Sequence, residues 1–460
     1  MKKRFLIILG LIGVVAASNG KPNIIYILAD DLGIGDLGCY GQKIIQTPNI
    51  DRLAAEGMLF TQHYSGSTVC GPSRCSLLTG LHTGHSVVRD NGPVKPAGQF
   101  PLPEGTATVA SQLKSAGYAT ACIGKWGLGY TGNSGDPVLQ GFDYFYGFKC
   151  QKNAHSYYPE FVWRNDEQVM LNGEKYVHDE FMAEAYQYVE QKKDEPFFLY
   201  LALTIPHADL DVPEDSMEPY AHLEPGKPYR GEKGSYKHQE QPRKAFAGMI
   251  SRMDRDIGRL MERLKELGLD ENTLVMFTSD NGAHLEGGAD PDFFDSNGIY
   301  TGYKRDLTDG GIHVPFIARL PGRITSGSTN KHVSAMWDIM PTLCELAEAP
   351  VPEDIDGISM KPSLLGQAGQ REHDALYWEF SSRNGMQAIR MGDWKLVKTN
   401  LQKPEDARAM LFNLKKDPSE QDNLADSNPE TVERLEKKMD AMRFDSSVFP
   451  LFEKKKAAKK

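Results

Sequence analysis

Two acids close an apolar run in NIIYILADD, and an Asp-Asn pair closes another in TLVMFTSDN. Asp30, Asp31, Asp280 and Asn281 therefore stand at the carboxyl ends of two buried-strand patterns. In open α/β sheets, ligands bind just beyond such ends. Two pairs of oxygen-bearing side chains meeting there suit a single hard cation, Ca2+ or Mg2+. Either pair alone is also ordinary turn chemistry, because Asp and Asn hydrogen-bond their own backbone.

The stretch CGPSRCSLLTG, Cys70 to Gly80, carries a second kind of chemistry. Pro72 fits a first helical turn, so the pattern places Cys70 just ahead of a helix N-terminus. Exposed N–H groups and the helix dipole favour an anion there. Arg74, one turn in, is within reach of it. A disulfide between Cys70 and Cys75 would span an awkward Cα separation across a helix start. Cys75 reads instead as a small core residue. Six cysteines in an exported chain allow up to three disulfides, but Cys39, Cys122, Cys150 and Cys344 show no pairing pattern and no zinc spacing.

The elements that must position these groups follow from hydrophobic period. Strand-like runs (NIIYILAD, the segment around Tyr118 to Ile123, PFFLYLAL, TLVMFTSD) alternate with helix-like ones (in TPNIDRLAAEGMLF, TATVASQLKSAG, FMAEAYQYVEQKKDE and RKAFAGMISRMDRDIGRLMERLKELGL). The alternation predicts an α/β fold with one large sheet between helices. After about Gln370 come short strand patterns (ALYWEF, MQAIRMGDWKLV, MLFNL) and an amphipathic helix, TVERLEKKMDAMR. They predict a small antiparallel sheet with one packed helix. The expected division is a signal segment at 1–18, a catalytic domain at 19–370, a C-terminal subdomain at 371–450 and a basic tail at 451–460. Val212 to Gln241, rich in Pro and charge, reads as a long surface loop.

MKKR followed by FLIILGLIGVVAA has the three-part form of a secretory signal. An exported protein, periplasmic or secreted, with no membrane association after signal removal is expected. Export also favours Ca2+ over Mg2+. A formal charge of −10 argues against a nucleic-acid partner, so positive charge for any anionic substrate must be gathered locally.

The pattern Cys-x-Pro-Ser-Arg-x-x-x-Leu-Thr-Gly resembles the signature of the type I sulfatases of the alkaline phosphatase superfamily. The likeness runs from NIIYILADDLG to LFNLKKDPSEQDNLA. It implies that a maturation enzyme oxidises Cys70 to formylglycine (3-oxoalanine). Asp30, Asp31, Asp280, Asn281 and the modified Cys70 would then hold Ca2+. One hydroxyl of the hydrated aldehyde attacks sulfur, and the other expels sulfate as the aldehyde reforms. A serine would be left sulfated. The resemblance assigns Lys125 in GKWGLG and Lys304 in YKRDLTDGGIHVP to the sulfate, with Arg74 beside them. It makes His207 in TIPHADL the proton donor to the leaving oxygen.

Two positions depart from the family pattern. Gly127 stands where Gly-Lys-Trp-His-Leu-Gly has His, and Asp309 stands where the lysine segment has Glu. His155, in KNAHSYYP, is the expected substitute for the missing His. His284 is a second candidate, as a substrate contact. Arg89, Asp90 and Asn91 are read as pocket-lining or as turn material. The implied activity is hydrolysis of sulfate esters on carbohydrates such as glycosaminoglycan, mucin or algal fragments. A phosphatase or phosphonate monoester hydrolase on the same fold, and a non-catalytic calcium-dependent glycan-binding protein, are the rival readings.

Overall fold

Asn23–Asp30 is a strand buried along its whole length. Ile25, Ile27 and Ala29 enter one hydrophobic cluster, and Ile24, Tyr26 and Leu28 enter another. A strand covered on both faces must read as a continuous apolar run, and this one does. It lies inside a ten-stranded sheet with the order Ser328–Asn330, Met58–Phe60, Phe316–Arg319, Thr273–Ser279, Asn23–Asp30, Phe197–Pro206, Ala119–Lys125, Tyr144–Phe148, Phe161–Arg164 and Glu167–Met170. The middle five strands are parallel, whereas Phe316–Arg319 and the Phe161–Met170 hairpin pair antiparallel. Helices Pro48–Ala55, Val177–Gln191 and Pro242–Glu266 bury apolar residues in the first cluster. Cys70–Thr79, Val109–Ser115 and Ile339–Leu346 do so in the second. The chain thus has the large mixed sheet between helices that its alternation predicts. This computed structural model describes residues 20–95, 97–231 and 236–452. The expected signal segment and residues 453–460 of the expected tail lie outside them.

Parallel pairing brings several carboxyl ends to one sheet edge. Asp30 is opposite Pro206, Ala29 opposite Ser279, and Gly124 opposite Ala202. Asp30, Asp31, Lys125, His207 and Asp280 therefore leave the sheet side by side.

The C-terminal strands Leu376–Phe380, Met386–Met391, Trp394–Thr399 and Arg408–Asn413 form a separate antiparallel sheet in sequence order. Leu435 and Met439 of helix Pro429–Ala441 pack on Ile389, Leu396 and Leu411. The other face sets Trp378, Ala388 and Val397 against Tyr64 and Trp337 of the main body. The Val212 to Gln241 stretch is less loop-like than its composition predicts. It holds two short helical turns, Glu214–Met217 and Glu218–Tyr220. Tyr220 is fully buried, and its hydroxyl accepts from the Gln46 N–H at 2.9 Å. One aromatic ring with a satisfied polar end anchors an otherwise polar segment. All six cysteines are unpaired, and Cys75 is a core residue.

Candidate active site

Cys70 is itself the first residue of helix Cys70–Thr79, with extended Val69 before it. Pro72 alone predicts Cys70 just outside the helix, but the helix begins one residue earlier, at Cys70. Every residue of this helix is buried, so Cys70 and Arg74 are fixed by packing. The Cys70 thiol donates to Asp30 Oδ1 at 3.2 Å and lies 3.4 Å from Lys125 Nζ.

Around it the carboxylates and cations interlock. Lys125 Nζ donates to Asp30 Oδ2 at 2.6 Å, and Lys304 Nζ to Asp31 Oδ2 at 2.7 Å. Arg74 grips Asp280 Oδ2 through Nε and a terminal nitrogen (3.1 and 2.7 Å) and donates to the Lys125 carbonyl at 2.6 Å. Asp31 takes the left-handed backbone region (φ 66), which lets its N–H reach Asp280 Oδ1 at 3.1 Å. Asn281 Nδ2 donates to Asp31 Oδ1 at 2.8 Å.

Burial by itself would raise the Asp30 carboxyl pKa, but Lys125, His207 and Arg74 outweigh it and hold it well below the usual range. Asp31 is lowered in the same way, with Lys304 the main opponent of burial. Asp280 moves the other way, to about 7, because burial and the neighbouring Asp30 charge overcome Arg74. Burial and Asp30 push the Cys70 thiol far up, so as a thiol it is a poor nucleophile here.

Ligand atoms from Asp30, Asp31, Cys70 and Asp280 all lie within 4.8 Å of one another. Asn281 Oδ1 is buried with no hydrogen-bond partner among the described residues. Three carboxylates and one spare amide oxygen fit a hard dication.

His207 is 3 % exposed. Its Nδ1 meets the Ala208 carbonyl at 2.5 Å, which makes that nitrogen the N–H and leaves the Nε2 lone pair facing Asp31 Oδ2 at 3.5 Å. Burial and Lys304 keep the ring neutral. His155 stacks on His207 with centroids 4.9 Å apart and is lowered to about 4 by burial and the two lysines. His155 is therefore beside the site. His284 is buried 6.0 Å from His207, but both its nitrogens are engaged, by the Pro206 carbonyl and the Glu286 N–H. Arg89 and Asp90 turn toward the C-terminal part, on Glu379 and on Ser381 and Ser382. Asn91 alone of that trio touches the motif helix, accepting from the Gly71 N–H at 3.0 Å.

Sequence reasoning missed Glu286, Arg305, Tyr236 and Gln151. Glu286 ion-pairs with Arg305 and lies 3.7 Å from Lys304 Nζ. Adjacency to His284 and Lys304 was the available signal for those two. Tyr236 reaches His155 from the far side of a long connection, with centroids 5.3 Å apart, and nothing local marks it.

The family profile described as Sulfatase matches residues 22–349, and that described as N-sulphoglucosamine sulphohydrolase, C-terminal, matches 298–445. The N-acetylgalactosamine-6-O-sulfatase of Bacteroides thetaiotaomicron is 30% identical over 92% of this chain and 93% of its own. The crystal structure of Ps i-CgsB in complex with k-i-k-neocarrahexaose superposes with a TM-score of 0.81 at 30% identity, covering 95% of both chains. A phosphonate monoester hydrolase of Agrobacterium radiobacter shares the fold (TM-score 0.64, 22% identity, 92% and 95% covered). The chain belongs to the sulfatase family of the alkaline phosphatase-like superfamily and is a sulfuric ester hydrolase.

Proposed function

We propose that the protein is an exported enzyme that removes sulfate from carbohydrates, with formylglycine made from Cys70 and Ca2+ held by Asp30, Asp31, Asp280 and Asn281. The observation that carries this reading is the seat of Cys70. A helix start, Asp30 and Lys125 all converge on its side chain. When present, the oxidised residue supplies an oxygen nucleophile and the dication polarises it and the sulfate.

The chain's own residues supply the rest. Lys125 and Lys304 place two ammonium groups where a sulfate's charge must be neutralised, in a site closed to bulk water. Arg74 holds the Asp280 carboxylate and the end of the Lys125 strand in one piece. His207 delivers a proton from Nε2 to the leaving sugar oxygen. A bound sulfate opposes the two lysine charges, so it raises the His207 pKa and loads that proton when substrate arrives. His155, stacked on His207, braces the ring and lines the pocket.

Two observations support a sugar substrate. The Bacteroides relative is named for N-acetylgalactosamine 6-O-sulfate, and the Ps i-CgsB crystal contains a carrageenan-type hexaose. Among the described residues no helix is long and apolar enough to cross a membrane. The test is release of sulfate from defined sulfated galactosamine, glucosamine and galactose units by protein matured in an exporting host, with 4-nitrophenyl phosphate alongside. Sulfate release at rates far above phosphate release is expected. Faster phosphate release would make it a phosphohydrolase. Sugar binding without release, on an intact thiol, would make it a lectin.

A further inference from the structure

Gly127 follows the Lys125 strand with φ +80, and a Cβ built there would lie 2.8 Å from Gln151 Nε2 and 2.9 Å from Gln151 Cγ. The space in front of residue 127 is filled by the Gln151 side chain. The same Nε2 stands 3.1 Å from the place of a Cβ on Gly71, in the first turn of the Cys70 helix. Gln151 thus bridges the end of the Lys125 strand and the helix start that seats Cys70.

Its placement is set by backbone pairing. The N–H groups of Trp126 and Gly127 donate to the carbonyls of Phe148 and Lys149 (2.9 and 3.4 Å), which draws residue 151 against residue 127. The Gln151 carbonyl then accepts from the Ala154 N–H at 3.1 Å, in the short turn Asn153–His155 that also carries His155. The side chain is 6 % exposed, and its Nε2 has no hydrogen-bond partner among the described residues. Buried amide N–H groups are almost always paired, because leaving one unmade is costly. Asn91 Oδ1, which lies near the same position, accepts from the Gly71 N–H at 3.0 Å.

We infer that Gln151 is a sulfate-binding residue, its Nε2–H donating to a non-bridging sulfate oxygen held between Lys125 and the Cys70 helix start. The inference rests on the sulfate-ester reading above. It gives residue 127 a physical account: glycine is needed there both for the backbone conformation and for the room Gln151 takes. A neutral amide holds an anion without taking a proton, so it binds the group and leaves proton traffic to the histidines.

The test uses the mature full chain, wild type and Gln151→Met, which keeps the length of the side chain and removes its donors. Inorganic sulfate is titrated calorimetrically, kcat/KM is measured on 4-nitrophenyl sulfate, and the aldehyde content of the Cys70 peptide and the melting temperature are recorded. Gln151→Met is expected to weaken sulfate binding about tenfold and to lower kcat/KM about 10- to 100-fold, with aldehyde content unchanged and the pH optimum unmoved. If Gln151→Met melts early, Gln151→Asn, which shortens but keeps the amide, replaces it with the same expectation. Wild-type affinity and turnover in the variant would overturn the proposal, as would absence of sulfate binding by the wild type. A wild type that binds sulfate yet hydrolyses no ester would defeat the activity reading while the titration still decides Gln151.

Discussion

Two of the buried charge clusters in this molecule can be set side by side. At the junction with the C-terminal sheet, Lys395 donates to Asp309 at 2.5 Å and lies 2.8 Å from Glu420. Tyr64 donates to Asp309 at 2.8 Å, the Asp309 N–H donates to Glu420 at 2.5 Å, and Arg390 closes on the Tyr64 hydroxyl at 2.6 Å. At the sheet edge, Asp30, Asp31 and Asp280 face Arg74, Lys125 and Lys304. Each cluster balances its charges. They differ in what is left over. The junction answers its carboxylates with Lys395, the Tyr64 hydroxyl and the Asp309 N–H, although burial and the Asp309 charge raise the Glu420 pKa to about 7, as burial and Asp30 raise that of Asp280. The sheet edge leaves Asn281 Oδ1 and Gln151 Nε2 without a hydrogen-bond partner among the described residues. On the proposed function, the second cluster is the one arranged for ligands. Asp309 belongs to the first, although it lies only five residues beyond Lys304, which belongs to the second.

The contrast can be broken most severely at Cys70. Cys70→Ala should cut ester hydrolysis by about 10^4-fold or more while leaving the melting temperature nearly unchanged, read by steady-state kinetics and calorimetry. A matched pair comes next. Lys304→Met should lower kcat/KM about 10^2- to 10^3-fold, with a stability cost of its own because buried Asp31 loses its cation. Lys395→Met should leave folded enzyme active but lose about 3–5 kcal/mol, read from urea midpoints, because two buried carboxylates lose their cation. The reverse pattern would erase the distinction between the clusters.

His207→Ala sharpens the chemistry of the sheet edge. Its effect should reach about 10^2-fold or more on a sugar sulfate, whose alkoxide needs a proton, and be much smaller on 4-nitrophenyl sulfate. Equal losses on both would remove His207 as the acid. The smallest effect concerns acid stability at the junction. Burial would raise the Asp309 pKa, but Lys395 and His313 hold it far below the ordinary value. Its stabilisation is therefore complete above about pH 4, the unfolded value, and is lost as pH falls through the folded one. Wild type should lose stability below about pH 4 more steeply than Asp309→Asn, as read by urea titrations at each pH.

Much of the scaffold was legible because its signals are local. The all-apolar NIIYILAD, the 25-residue helix Pro242–Glu266 and the C-terminal meander each declare their period within one window. The two acid pairs were legible through their position after strands, whereas the roles of Cys70, Lys125 and Lys304 were legible only through the resemblance of their motifs to those of the sulfatases. Arg89 was not, because its partners Glu379 and Phe444 lie hundreds of residues away. Gln151 sits in an irregular turn with no period, and its environment is set by two glycines on other elements. Cys70 was misplaced by one residue because the helix boundary depends on Val69, whose extended backbone no side-chain pattern announces.

The chemistry proposed for this site depends on what residue 70 becomes. Peptide mass spectrometry of active protein purified from an exporting host, with sulfate release assayed on the same sample, tests it most directly. An aldehyde in place of the thiol, in a fraction that scales with activity across preparations, is the predicted result. Full ester hydrolysis by protein whose Cys70 is wholly an unmodified thiol would contradict it.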